Sequence, residues 1–449
     1  MTESIEDTRE RISSDMPRIQ GDLERLIRIP SVSADGFDPA HVRASAQETA
    51  ELMEAAGLQG VRFLEHGEAH PAVFGEVAGP AGAPTVLLYA HHDVQPPGNP
   101  ADWDSPPFEP EVRDGRLYGR GSNDDKAGIA AHVTAVRAHD AKPPVGVKVF
   151  IEGEEETGSE NLAGFLEQHG EVLGADVLVL ADASNWRLGI PGLTTSLRGL
   201  VDCLVEVRTL EHAVHSGMYG GPVPDAIMAL SRVLASLHDD RGNVAIPGLD
   251  GDGEAQVDYD EADYRADVTA VEGLQLTGDG SISERLWTKP AVAVLGIDAP
   301  SVVQSSNQIV PVARAVVSMR IPPGVESQKA MDALGAHLEA SAPWGAHVTV
   351  TRRAGAEPFA LRSDGPVYDA ARRAFRDAWG TDAVDIGAGG TIPLVHAFVE
   401  SHPEAVILLT GMEDPDGRAH GENESLHLGE FERACVAETL LLGYLAERR

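Results

Sequence analysis

Apolar and polar positions follow two different rhythms along this chain, and the change of rhythm divides it. From residues 9 to 28, Ile12, Met16, Ile19, Leu23, Leu26 and Ile27 recur at helical spacing. The pattern predicts a helix interrupted at Pro17 and Gly21 and ended by Pro30. A second helix is predicted over 41–56, with Gly57 placed as a C-terminal cap. Short strands are expected over 61–64 and 72–77, a hairpin turning at Asp114-Gly115 over 111–117, and a helix over 127–138. Four nearly continuous apolar runs stand out, at 85–90, 145–151, 177–181 and 405–410. Runs of this length suit strands buried on both faces. Each leads into ionisable residues: His91-His92-Asp93, then Glu152 with Glu154-Glu155-Glu156, then Asp182, and last a polar loop holding His420. Buried strands separated by helical stretches predict an open α/β sheet, and such sheets gather their sites at the strands' carboxyl ends.

Between about 194 and 359 the rhythm changes. Residues 200–207 alternate as a half-exposed strand does; helices are predicted over 224–237 and 327–339, and strands over 315–321 and 347–351. This is a compact α+β unit inserted into the larger one. Within it, residues 249–284 are acidic and Gly-rich and read as a surface excursion with some local structure.

Charge narrows the partners. The chain of 449 residues carries 71 acidic and 35 basic residues, a formal net charge of -36. Nucleic acid and anionic membrane surfaces are therefore excluded as natural partners. Cys203 and Cys435 are far apart in apolar contexts and read as buried thiols. No secretory pattern and no bilayer-length apolar run is visible, so a cytoplasmic protein is the expectation.

Taken singly, the ionisable residues have ordinary readings. Asp124 and Asp125 precede a helix, where aspartates cap; an acidic run such as 154–156 is commonly a solvated loop. Their shared position after buried strands is what raises His91, Asp93, Glu155, Glu156, Asp182 and His420 to candidates, and Asp124 is taken together with them. Two imidazoles and several carboxylates without thiolates suit zinc, manganese or cobalt. One catalytic ion takes about three protein ligands, so this set suggests two ions sharing a carboxylate. Adjacent Glu155 and Glu156 point apart, so one can hold metal while the other carries a proton.

These segments resemble the dinuclear zinc peptidases that include aminoacylases, carnosinase-like dipeptidases and succinyl-diaminopimelate desuccinylase, the dipeptidase branch above all. The resemblance rests on His91-His92-Asp93-Val94-Gln95-Pro96, on Gly119-Arg120-Gly121-Ser122-Asn123-Asp124-Asp125-Lys126, on Glu155-Glu156-Thr157-Gly158-Ser159, and on Ala419-His420-Gly421-Glu422-Asn423-Glu424. It implies a mixed-sheet α/β catalytic domain with helices on both faces, in two parts (1–193 and 359–449), around an α+β lid and dimerisation domain (194–358). It implies two divalent ions, zinc foremost, with His91 and Asp182 on one, Glu156 and His420 on the other, and Asp124 between them, followed by a cis peptide bond. Asp93 would orient His91, and Glu155 would be the catalytic base and acid. In the inserted unit His215 would reach a neighbouring subunit's site and stabilise an oxyanion, Arg320 and Asn307 would contact substrate, and Gly390 and Thr391 would hold its terminus. Thr391 stands where relatives usually carry Ser, and Gly387-Ala388 where they often carry charge. The activity implied is hydrolysis of dipeptide amide bonds by a hydroxide shared between the ions, in a homodimer. An N-acyl-amino-acid deacylase on the same metals is the alternative; a non-catalytic peptide-binding protein is a remoter one.

Overall fold

A computed structural model describes residues 4–251, 255–390 and 392–447, so Thr391 lies outside the described residues. The chain forms two compact units, one from residues 1–194, 362–385 and 392–449, the other from 195–361 and 386–391.

The larger unit is built on a sheet in which six neighbouring strands run in the order Gln59–Leu64, Ala72–Val77, Gly146–Glu152, Thr85–His91, Val177–Leu180, Val406–Leu409. The first two are antiparallel to their neighbours; the last four are mutually parallel. Parallel neighbours present their carboxyl ends on one edge. The register makes those ends level: His91 lies opposite Glu152, Tyr89 opposite Leu180, and Leu409 opposite Leu180. The apolar runs are continuous because both faces are covered; residues 86–91 are all buried.

The helix Lys126–Ala138 packs on the Thr85–His91 strand and is buried on nearly every side. That burial explains its weak polar periodicity. Ser4 opens the first helix, Ile5–Ile27, through a reciprocal hydrogen-bond pair with Asp7. It begins before the apolar spacing does because its first turn is solvated and held by the cap. Two further helices, Pro366–Trp379 and the terminal Leu428–Ala446, pack on each other.

The smaller unit carries an antiparallel sheet in the order Ala291–Asp298, Val312–Ile321, Gly199–Arg208, His347–Ala356. Gly199–Arg208 alternates buried and half-buried positions without a break. Its inward residues Cys203, Val205 and Val207 join Val317, Met319 and the helices Ala226–Ala235 and Ser327–Ala340 in one core. Each such valine stabilises the unit by about 1.5–3 kcal/mol. The acidic stretch read as a surface excursion contains two helices, Glu261–Asp267 and Ile282–Trp287. The edge strand Ala291–Asp298 was not legible: its apolar side chains are mostly exposed, so no alternation marks it.

Candidate metal centre

The site assembles on the level strand ends of the larger unit. Among the described residues, two clusters have donor atoms within 4.8 Å of one another: His91, Asp124 and Asp182, and Asp124, Glu156 and His420. Asp124 belongs to both because its two oxygens face opposite ways. Oδ1 lies 3.0 Å from His91 Nε2 and Oδ2 lies 3.0 Å from His420 Nε2. Asp182 Oδ2 stands 4.0 Å from His91 Nε2, and Glu156 Oε2 stands 3.3 Å from His420 Nε2. The reading of Asp124 and Asp125 as helix caps is corrected: Asp125 makes no side-chain cap. Its Oδ2 instead accepts the backbone N–H of His91 at 3.3 Å. The peptide bond between the two aspartates is cis.

Asp93 is fully buried beneath the cluster. His91 Nδ1 faces its backbone oxygen at 3.1 Å and its carboxylate at 3.5 Å. With a metal bound, a proton held on Nδ1 would leave Nε2, the atom turned to Asp124, free to ligate. Asp93 also accepts the backbone N–H groups of Glu155 at 3.2 Å and Glu156 at 3.1 Å. One carboxylate thus orients the histidine and positions the glutamate pair. His92 points elsewhere, its Nε2 2.9 Å from the Pro71 carbonyl. His420 adopts φ 64°, a left-handed conformation uncommon for a histidine and a mark of functional loops.

Electrostatics describe a cavity of crowded carboxyls. Burial pushes Glu155 up to about 8, with Glu156 and Asp93 adding to it against the pull of His91. Burial and the neighbouring Asp124 push Asp182 well above the carboxylate range. Asp124 moves the other way: burial opposes its charge, but hydrogen bonds from His420 and His91 hold it well below that range. Those bonds with Asp124 and Glu156 lift His420 to about 10. Divalent cations among these groups would reverse the balance, keeping the carboxyls ionised and the imidazoles neutral. The donor set, oxygen and imidazole nitrogen shared through one carboxylate, fits two borderline divalent ions.

Residues outside the strand-end pattern support the cluster. Gln95 donates its backbone N–H to Glu156 Oε1 at 2.9 Å and its amide to Oε2 at 2.8 Å. Ser33 donates to Asp93 Oδ2 at 2.6 Å. Glu424 is buried and accepts from Arg120 Nη1 (2.6 Å) and from the backbone of Gly121 (3.0 Å), Asn123 (2.9 Å) and Asp124 (3.2 Å). Burial raises the Glu413 carboxyl to about 8, with Asp124 contributing. Glu413 follows the strand Val406–Leu409, so the strand-end logic that found Asp182 could have found it.

His215, Asn307, Arg320 and Gly390 lie in the smaller unit. His215 pairs with Gln308 across two short strands, and the Asn307 carbonyl accepts the Ser216 N–H at 3.0 Å. His215, Asn307 and Gly390 are exposed, and Arg320 is half-buried on its strand.

Comparison with known proteins agrees with this architecture. A cysteinylglycine-S-conjugate dipeptidase of Corynebacterium striatum is 36% identical over 410 residues, covering 90% of each chain. A human Beta-Ala-His dipeptidase is 27% identical over 426 residues, covering 90% of this chain and 82% of that one. The crystal structure of human carnosine dipeptidase 1 matches with a TM-score of 0.82 at 25% identity, over 99% of both chains. The model of peptidase family M20/M25/M40 matches residues 87–442, and the chain belongs to that family.

Proposed function

We propose that the protein is a metal-dependent dipeptidase that hydrolyses the amide bond of dipeptides. The observation that carries this is Asp124, whose two oxygens each meet a different imidazole, beside a glutamate pair of which one member faces His420. Two divalent ions, with zinc the first choice and manganese or cobalt the others, would activate a water and polarise the substrate carbonyl. His91 and Asp182 would hold one ion, Glu156 and His420 the other, and Asp124 both. Asp93 keeps His91 in the ligating tautomer. Glu155, half-buried and raised to about 8, would take the water's proton and pass it to the leaving amine. His215 would stabilise the oxyanion, and Arg320, Asn307 and the loop at Gly390 and Thr391 would contact the substrate.

The relatives matched over nearly the full chain are dipeptidases by name, so the deacylase alternative is not favoured. No described helix is long and apolar enough to cross a membrane. We read the protein as a cytoplasmic homodimer joined through the smaller unit, which light scattering of the purified protein tests.

The test of the function is hydrolysis by the metal-loaded protein of Cys-Gly and β-Ala-His against acetyl- and succinyl-amino acids. Dipeptides are expected to be cleaved preferentially. In Glu155→Gln, kcat is expected to fall by roughly 10²–10⁴-fold while metal still binds. Equal activity in wild type and variant refutes the role of Glu155, and preference for the acylated amino acids refutes the dipeptidase reading.

A further inference from the structure

The two ion sites proposed above rest on different supports. His91 ends a strand held on both sides by parallel neighbours, and Asp182 stands just past the end of the strand Val177–Leu180. His420 belongs to neither helix nor strand, and its side chain is 60% exposed. Its loop is also conformationally demanding: Arg418, His420 and Asn423 have φ of 54°, 64° and 60°. Left-handed backbone at three non-glycine residues persists only where the surroundings over-determine it.

The main restraint on this loop is a side chain from a distant segment. Arg120 is only 2% exposed. Its Nη2 donates to the carbonyls of His420 and Gly421, at 3.1 Å each, and its Nη1 donates to Glu424 Oε2 at 2.6 Å. The Trp103 ring, its centroid 5.5 Å from the guanidinium carbon, lies against this group, and Trp103 is tied in turn by its Nε1–H to the Pro97 carbonyl at 2.7 Å. A planar guanidinium can serve two carbonyls and a carboxylate in one fixed geometry; a lysine ammonium, a point charge on a flexible stem, cannot reproduce it. The far end of the loop has a separate tie, where Asn423 Oδ1 accepts the Asp104 N–H at 2.9 Å and Nδ2 donates to the Asp102 carbonyl at 3.3 Å. The His420 ring itself meets Asp124 and Glu156, the two contacts that an ion would replace. The grip on the carbonyls is what is left to aim the ring.

We propose that Arg120 is a positioning residue for His420 and, through it, for one ion only, the one between Glu156 and His420. The proposal rests on the two-ion reading. None of the other ion's ligands, His91, Asp124 and Asp182, belongs to this loop. Arg120→Lys separates the two effects of Arg120, because it keeps a positive charge opposite Glu424, which holds the Asp124 loop, while losing the fork that grips the two carbonyls.

The experiment titrates metal-free wild type, Arg120→Lys and His420→Ala with cobalt against a competing chelator and counts ions per chain. Wild type is expected to bind two. In Arg120→Lys one ion is expected to bind within about twofold of wild type and the other at least roughly tenfold more weakly, as in His420→Ala. Equal weakening of both ions, the mark of a merely structural role, overturns the proposal, and so does no weakening. Hydrogen exchange supplies a readout that needs neither metal nor activity. Amides of 417–425 are expected to be protected in metal-free wild type and to exchange faster in Arg120→Lys, with those of 86–91 unchanged. Equal exchange in the two proteins overturns the proposal. If Arg120→Lys does not fold, metal-free wild type decides alone: protection of 417–425 supports the grip, and exchange at the free-peptide rate until cobalt is added shows that the ion holds the loop and overturns it. If wild type binds fewer than two ions, the two-ion reading fails by itself, and the exchange comparison still decides whether Arg120 holds the His420 loop.

Discussion

Replacing Glu424 by Gln probes how the Asp124 loop is held without touching a proposed ligand. Both oxygens of Glu424 face donors: Oε2 meets Arg120 Nη1 and Gly121 N, and Oε1 meets Asn123 N and Asp124 N. Burial pushes this carboxyl upward while Arg120 opposes it. All four contacts are donors, so the carboxylate is the form the geometry accommodates. A glutamine amide must turn its NH₂ toward one of the two donor pairs whichever way it flips, setting donor against donor and leaving the buried Arg120 uncompensated. Breaking a buried pair in this way costs about 3–5 kcal/mol. Because Asp124 N is one of the four donors, the loop presenting the shared carboxylate should loosen, weakening metal affinity by roughly 10–100-fold. Urea unfolding with and without metal measures the first effect, and a competitive metal titration measures the second. Loss of less than about 1 kcal/mol with unchanged metal affinity would refute the reasoning. The double variant Arg120→Met/Glu424→Leu separates the two parts. Removing both charges should return much of the stability, whereas metal affinity should stay low, since the backbone N–H groups of 121, 123 and 124 still lack their acceptor.

The remaining predictions concern protons. His132 Nδ1 lies 2.8 Å from Glu438 Oε1 and its Nε2 lies 2.9 Å from the Tyr89 carbonyl; both partners accept, so the ring is held as an imidazolium. Burial opposes that charge, but Glu438 outweighs it and raises the His132 pKa. A raised folded-state value gives stability that is complete below the unfolded value of about 6.5 and lost as pH rises through the folded one. Chemical unfolding should therefore show a larger loss between about pH 6 and pH 9 in wild type than in Glu438→Gln, and equal losses would contradict the assignment. Loading zinc at neutral pH should release protons, because before metal binds the His420 imidazole is raised to about 10 and the Asp182 carboxyl is held well above its usual range, and ligands must bind deprotonated. Calorimetry in two buffers of different ionisation enthalpy reads the release; identical heats would contradict it.

The central sheet and its chemistry were legible because both depend on local pattern. Strands buried on two faces are apolar throughout, and a polar residue directly after such a run must sit at its end; that places His91 and Asp182 from sequence alone. The alternation of 200–207 likewise reveals a sheet with one covered face. The edge strand Ala291–Asp298 escaped because its apolar residues face outward, against the rule that periodicity rests on. Among the site residues, Asp124 illustrates the division. Its sequence context permits a helix cap, and only the packed structure shows its two oxygens divided between His91, 33 positions away, and His420, 296 positions away. Gln95 behind Glu156, Ser33 behind Asp93 and Glu424 beneath the Asp124 loop follow the same logic. The sequence by itself determined which residue types stand at the strand ends, because local hydrophobic pattern sets where strands begin and stop. The tertiary structure decided which atoms meet, because hydrogen-bond geometry between distant segments is set by strand register and packing, and these are properties of the whole fold.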